Sequence, residues 1–155
     1  MMDITAKLAE LGLELPKAAA PVAAYVPVVE HGGMLYVSGQ LPFRDGQVVT
    51  GRLGDDMDVS GGQDAAQRVA LMLVAQIGQA LDGDWSRVER VVKLGVFVNS
   101  APGFTDQAKV ANGASELFEA LFGAAGRHAR AAVGVAVLPL GAAVEADAIV
   151  AVRPA

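Results

Sequence analysis

The feature that constrains this chain most is its C-terminal stretch from His128 to Val152, HARAAVGVAVLPLGAAVEADAIVAV. Two alternating apolar runs flank Leu138-Pro139-Leu140-Gly141, the pattern of a hairpin of two half-buried strands. Side chains alternate across a strand, so Ala129, Ala131, Val133, Val135 and Val137 share one face. Arg130, Ala132, Gly134 and Ala136 share the other. In the second run Val144, Ala146, Ala148, Val150 and Val152 form an apolar face opposite Glu145 and Asp147. Arg130 has only small same-face neighbours, hence open space beside it, and is the first place to look for a ligand. If the hairpin turns near residues 139–142, Ala136 lies opposite Glu145, with Arg130 six residues further along. At ~3.3 Å per residue that is roughly 20 Å. Arg130 and Glu145 would then share a site only across a subunit boundary.

The rest of the chain supplies the partners for this stretch. Ile4, Leu8 and Leu11 recur at helical spacing before Gly12, so residues 3–12 read as a short amphipathic helix, followed by a linker at Pro16–Pro21. Tyr25–Glu30 reads as a strand that Pro27 marks as an edge, and His31-Gly32-Gly33 turns it into a second strand, Met34–Ser38. The region to Asp58 is loop-rich, with a possible short strand at Val48–Arg52. Ser60-Gly61-Gly62-Gln63 matches a capping box. The helix after it carries Ala66, Val69, Ala70, Leu73, Ile77, Ala80 and Leu81 on one stripe and stops at Gly83. Val88–Val98 reads as a strand with Val88, Val92, Leu94, Val96 and Val98 on one face. A second helix from about Asp106 to Phe122 has the stripe Val110, Ala114, Leu117, Phe118 and Leu121.

This order predicts an α+β, two-layer fold: one mixed β-sheet, two main helices on one face, and a short N-terminal helix. Residues 1–20 are read as N-terminal helix and linker, and 21–155 as one domain. The second sheet face would carry Glu89, Lys93, Phe97, Arg130, Glu145 and Asp147. That set is too mixed for a core and its surroundings too rich in Val and Ala for a solvated face. Covering it with neighbouring subunits resolves the conflict and predicts a closed homo-oligomer.

Composition removes several classes of function. With 155 residues, 53% hydrophobic content and charges scattered through every apolar run, the chain has no candidate membrane span. A net charge of −5 argues against a general nucleic-acid binder. There is no cysteine, hence no thiol nucleophile, disulfide or thiolate metal site. Asp3 and Glu10 stand where a signal peptide would be basic and then apolar, which points to a cytoplasmic protein. With only His31 and His128, a zinc site is not expected, and neither a Walker A motif nor a G-x-G-x-x-G turn is present. Ser38 lacks a nucleophile elbow. Cofactor-free chemistry survives these exclusions.

Within that space Arg130 has two readings: a bidentate clamp for a substrate carboxylate, or a structural ion pair with Glu145 or Asp147. Glu145 is a general base if an interface buries it, and otherwise a solvated strand carboxylate. Tyr25 and Ser38 are candidate hydrogen-bond donors on the first hairpin. Asn112 lies off the apolar stripe of its helix, either exposed or turned to a cleft.

Three segments together resemble the Rid/YjgF family of reactive-intermediate (enamine/imine) deaminases: GGMLYVSGQLP (Gly32–Pro42), Val92–Asn99 with its VFVN end, and ARAAVGVAVLP (Ala129–Pro139). VEADAI (Val144–Ile149) follows at the family's spacing. The N-terminal helix, the long insert after Pro42 and the sequence NSAPGF resemble a branch that carries the name endoribonuclease with a chorismate-mutase-like fold. The resemblance implies a homotrimer with clefts between subunits, and hydrolysis of 2-imino or enamine acids to 2-keto acid and ammonia, a 2-iminobutanoate/2-iminopropanoate deaminase-like reaction. It makes Arg130 the clamp on the carboxylate of a small imino-acid ligand and Glu145 the residue that positions or activates water. It puts Tyr25, Ser38, Gly39, Asn112 and Ala132 in the pocket. Ala132 and Gly134 stand where deaminating members often carry cysteine and an acidic residue, which implies a wider or differently shaped pocket. The competing readings are an endoribonuclease and a non-catalytic binder of small carboxylates at the same cleft.

Overall fold

The computed structural model describes residues 3–21 and 23–155; Met1, Met2 and Val22 lie outside the described residues. The elements are α1 (Ile4–Glu10), β1 (Val28–His31), β2 (Met34–Gln40), β3 (Phe43–Arg44), β4 (Gln47–Val48), α2 (Val59–Ala80), β5 (Val88–Asn99), α3 (Gln107–Phe122), β6 (Ala129–Val135) and β7 (Val144–Val152). One five-stranded sheet runs in the order β1-β2-β7-β5-β6, and β3 and β4 pair separately. β5 and β6 are parallel and the other neighbours antiparallel, so the sheet is mixed, as the α+β reading requires.

The C-terminal stretch is not a hairpin. β7 lies between β2 and β5, while β6 pairs only with β5, on its far side. A parallel pair needs a crossover, which α3 provides between β5 and β6. Pro139–Gly141 forms a 3-10 turn with Leu140 at φ 59°, and the chain there bridges to Thr50 before entering β7. The expected opposition of Ala136 and Glu145 therefore does not exist. Alternation reports that two runs are strands; it carries no information on which strand each one pairs with.

The registers sort the two faces. Val28, Val37, Ala148, Leu94 and Arg130 stand in one row across the sheet, and Val37, Ala148 and Leu94 are buried. The neighbouring row is Val29, Tyr36, Ile149, Lys93 and Ala129, which opens on the other side. Arg130 thus belongs to the helix-facing side, at the sheet edge, and not to the face of Glu145 and Asp147. β5 also departs from strict alternation. Its pairing with β7 shifts between Val88 and Arg90 and again between Val91 and Lys93, which buries Val91 in place of the expected Val92.

Both main helices lie on the core side. α3 buries the whole predicted stripe. α2 is buried all round from Val69 to Gly78, more than its stripe suggested, although Ala80 is exposed. Its N-cap is Asp58, whose carboxylate accepts from the Gly61 amide at 2.7 Å; Ser60 lies inside the first turn, so the expected capping box is displaced by two residues. Buried Gln76 donates to the Ala19 carbonyl at 2.8 Å and ties the segment after α1 to α2. The first hairpin starts later than expected, at Val28, and Tyr25 precedes it. The proposed strand at Val48–Arg52 is only the short β4.

Candidate functional site

Arg130 projects from the edge strand onto α3. Its Nη1 donates to Asn112 Oδ1 at 2.9 Å and Ser115 Oγ at 3.0 Å, and its Nη2 donates to the Ala108 carbonyl at 3.2 Å. Ala108, Asn112 and Ser115 are at i, i+4 and i+7, one polar stripe of α3 beside the apolar one. All three acceptors are neutral oxygens. Among the described residues no carboxylate forms an ion pair with Arg130, so the structural pair with Glu145 or Asp147 does not form. A guanidinium has five N–H donors. Three hydrogen bonds leave two of these donors, Nε–H and one N–H of Nη2, without an acceptor among the described residues. A positive charge with spare donors of this kind suits a carboxylate or another anion.

Ser115 and His128 complete this half of the site, and the sequence reading missed both. Ser115 Oγ is 2.9 Å from His128 Nε2, and His128 Nδ1 is 2.7 Å from the Gly126 carbonyl. Burial pushes the His128 pKa down, the Gly126 hydrogen bond pulls it back up, Arg130 lowers it further and Glu119 opposes. Gly126 permits this contact by approaching α3 closely: a Cβ there would lie 2.1 Å from the Phe118 carbonyl oxygen. A cavity of about 450 Å³ is lined by Ser115, Glu119, Arg127, His128 and Arg130. Two signals in the sequence point to this cluster. Asn112 and Ser115 share one helix face at i, i+3, and His128 shares the strand face of Arg130.

Glu145 lies in a separate place. It pairs with Phe97, three residues along β5 from Leu94, the partner of Arg130. Three is an odd number, so the two side chains leave the sheet on opposite faces, with an offset of about 10 Å along the strand as well. Glu145 sits against Gly39, where a Cβ would be 3.1 Å from its Oε2. Gly39 and Ser38 lie in an irregularity of β2 between Val37 and Gln40. Burial raises the Glu145 pKa, and the neighbouring charge of Asp147 raises it further. The Ser38 hydroxyl donates to the Val26 carbonyl at 3.0 Å, which brings the chain after Tyr25 alongside; Tyr25 itself is 49% exposed.

The predicted residues therefore fall into two groups on one chain. Arg130, Asn112 and Ala132 lie on the helix side of β6, whereas Glu145 lies against Gly39 on the opposite face, with Ser38 next along β2 and Tyr25 just before the carbonyl that Ser38 meets. Separation of Arg130 from Glu145 stands, but through opposite faces and not through hairpin length. The wider pocket expected at Ala132 and Gly134 is filled at Gly134: a Cβ there would be 2.7 Å from Gln107 Nε2 and 3.0 Å from Ser100 Oγ. Gln107 is held over the glycine by donating to the Phe104 carbonyl at 2.8 Å and to Ser100 at 3.3 Å. No group of three or more His, Cys, Asp or Glu among the described residues is arranged to hold a metal ion. Among the described residues no helix is long and apolar enough to cross a membrane.

A mixed sheet backed by two helices, with Arg130 at the edge strand hydrogen-bonded to α3 and Glu145 on the opposite face, defines a protein of the α+β class. Residues 5–148 match the family described as YjgF/chorismate mutase-like, putative endoribonuclease, and the chain belongs to that family. It is 57% identical over 149 residues to Protein TCP17 of Trypanosoma cruzi, covering 95% of this chain and 92% of that one. The crystal structure of Atu1372 from Agrobacterium tumefaciens, a protein of unknown function, superposes with a TM-score of 0.92 at 50% identity, covering 97% of this chain and 92% of that chain. A more distant relative is the 2-iminobutanoate/2-iminopropanoate deaminase of Dermatophagoides farinae, 28% identical over 91% of this chain and 95% of its own length.

Proposed function

We propose that this protein hydrolyses 2-imino acids, and the enamine acids of the 2-aminoacrylate type that tautomerise to them, to 2-keto acids and ammonia. The observation that carries the reading is the half-buried Arg130, its guanidinium held by three neutral oxygens with two N–H donors left over. The deaminase named among the relatives agrees with it. Arg130 clamps the substrate carboxylate. Glu145, its pKa raised by burial and by Asp147, accepts a proton as water adds to the iminium carbon. The carbinolamine then expels ammonia, and its hydroxyl becomes the keto oxygen. No carbon changes its oxidation level, so positioning and proton transfer are sufficient.

Because the two groups leave opposite faces of one sheet, this mechanism needs Glu145 from a second copy of the chain beside Arg130. We place the site at a cleft between subunits of a homotrimer. Support comes from the open face, where Val29, Tyr36 and Val133 are 46–49% exposed around half-buried Phe97 and Ile149. An apolar face of this kind is characteristic of an interaction surface. The same reading is compatible with a cytoplasmic enzyme.

The test generates an imino acid in situ with an amino-acid oxidase and follows keto-acid release against the spontaneous rate. Arg130→Ala is expected to lower kcat/KM by roughly a hundredfold or more, since two charge-assisted hydrogen bonds are lost. An unchanged rate in that variant, or no acceleration by the wild type, overturns the assignment. Turnover-free stabilisation by pyruvate would favour a carboxylate binder. Cleavage of RNA that disappears with a site substitution would favour the nuclease reading, against which the net charge of −5 weighs.

A further inference from the structure

Arg130 is held by a hydroxyl whose own proton is already committed. The Gly126 carbonyl can only accept, so the hydrogen of a neutral His128 is on Nδ1 and its Nε2 is an acceptor. Ser115 Oγ, 2.9 Å away, must then donate to Nε2. The oxygen that Arg130 Nη1 meets at 3.0 Å therefore presents a lone pair and no hydrogen. A serine in mid-helix without such an acceptor can turn its proton onto a carbonyl of the preceding turn. Phe118 packs against the imidazole in a T-shaped arrangement, ring centroids 6.0 Å apart and planes at 74°.

We propose that Ser115 and His128 are positioning residues for Arg130: the imidazole orients the hydroxyl, the hydroxyl orients Nη1, and the donor edge offered to a ligand carboxylate is set as a result. This rests on the reading of Arg130 as the carboxylate anchor. Both act through Arg130, although they line the same cavity. The device works while His128 is neutral. A protonated imidazole would offer Nε2–H to Oγ, reverse the hydroxyl, and put a second positive charge beside Arg130. The charged groups around His128 are Arg130 on β6, which begins at the next residue, Arg127 just before it, and Glu119 on α3. Glu119 is engaged by Arg127 at 2.8 Å, so no free carboxylate competes for the imidazole.

The experiment uses pyruvate as a non-reacting carboxylate probe and side-chain nitrogen NMR of the intact protein. His128→Ala and Ser115→Ala are each expected to weaken pyruvate binding roughly tenfold. The double variant should be no worse than either single one. His128→Gln, whose Oε1 can take the Ser115 proton, should recover most of the affinity. In turnover the Ala variants should raise KM and leave kcat within about threefold. Wild-type affinity should fall as pH drops through the titration of His128, and His128→Gln should lose that dependence. A wild-type dissociation constant in His128→Ala, failure of Gln to rescue, or affinity that strengthens at low pH overturns the proposal. One readout needs no ligand: the Arg130 Nη resonances should be separate in the wild type and averaged by rotation in His128→Ala. If they are the same in both, positioning by His128 is wrong even if Arg130 binds carboxylates. If pyruvate affinity is equal in wild type and Arg130→Ala while those resonances behave as expected, the anchor reading fails instead.

Discussion

At the residue scale the telling contrast is between two ionisable groups shifted by burial in opposite senses of charge. The Glu145 pKa is raised in the folded chain, so folding favours its protonated form. Its contribution to stability is therefore unfavourable at neutral pH and is relieved as pH falls through the raised value. Glu145→Gln is expected to raise Tm at pH 7, with an advantage that shrinks as pH falls towards 5, in paired melting curves. The His128 pKa is lowered, so the unfolded chain takes up the proton first as pH falls through about 6.5. That part of the stability is present above this range and is lost below it. Urea titrations should show the wild type losing more stability between pH 7 and 5 than His128→Gln does; equal losses would refute the assignment. Glu145 thus pairs a catalytic proposal with a stability cost, a common association at functional sites.

At the scale of elements, α3 is the part that holds Arg130 in place. One stripe, Val110, Ala114, Leu117, Phe118 and Leu121, enters the core, and the adjacent stripe of Ala108, Asn112 and Ser115 holds Arg130. Its close return to β6 depends on Gly126, where any side chain meets the Phe118 carbonyl. Gly126→Ala should destabilise the fold by about 1–3 kcal/mol through overpacking. It should also reduce activity, because the carbonyl that orients His128 moves with it; denaturant melts and turnover on the same preparation check both. The cap of α2 is a control, because Asp58 makes its hydrogen bond to Gly61 and none to this cluster. Asp58→Ala should cost about 1 kcal/mol of stability and leave kcat/KM unchanged.

At the scale of the molecule, the proposed shared cleft stands or falls with the open sheet face. Val133→Glu, on the exposed side of the edge strand, is expected to yield monomers by light scattering and to abolish turnover, although neither proposed site residue is altered. A monomeric wild type at micromolar concentration would remove the basis of the shared-cleft mechanism.

What was legible in the sequence was what short-range periodicity controls. The 3.6-residue stripes of α2 and α3 and the two-residue alternation of β6 and β7 are local properties, and those elements form nearly where the spacing puts them. Alternation also separated Arg130 from Ala129 and Ala131, and Glu145 from Val144 and Ala146. It could not say which face of each strand meets the core, because alternation defines relative phase and not absolute side. That sign was decided by pairing: Leu94 and Ala148 put Arg130 in a core-facing row, and Phe97 puts Glu145 on the opposite face. Strand order was equally out of reach, since β7 finds its place between β2 and β5 through contacts distant in sequence. Ser115 and His128 meet only because α3 and β6 converge at Gly126. The sequence alone determined the elements and their apolar faces; the tertiary structure alone decided that the proposed clamp and the proposed base stand back to back, because long-range pairing sets the side from which each strand is read.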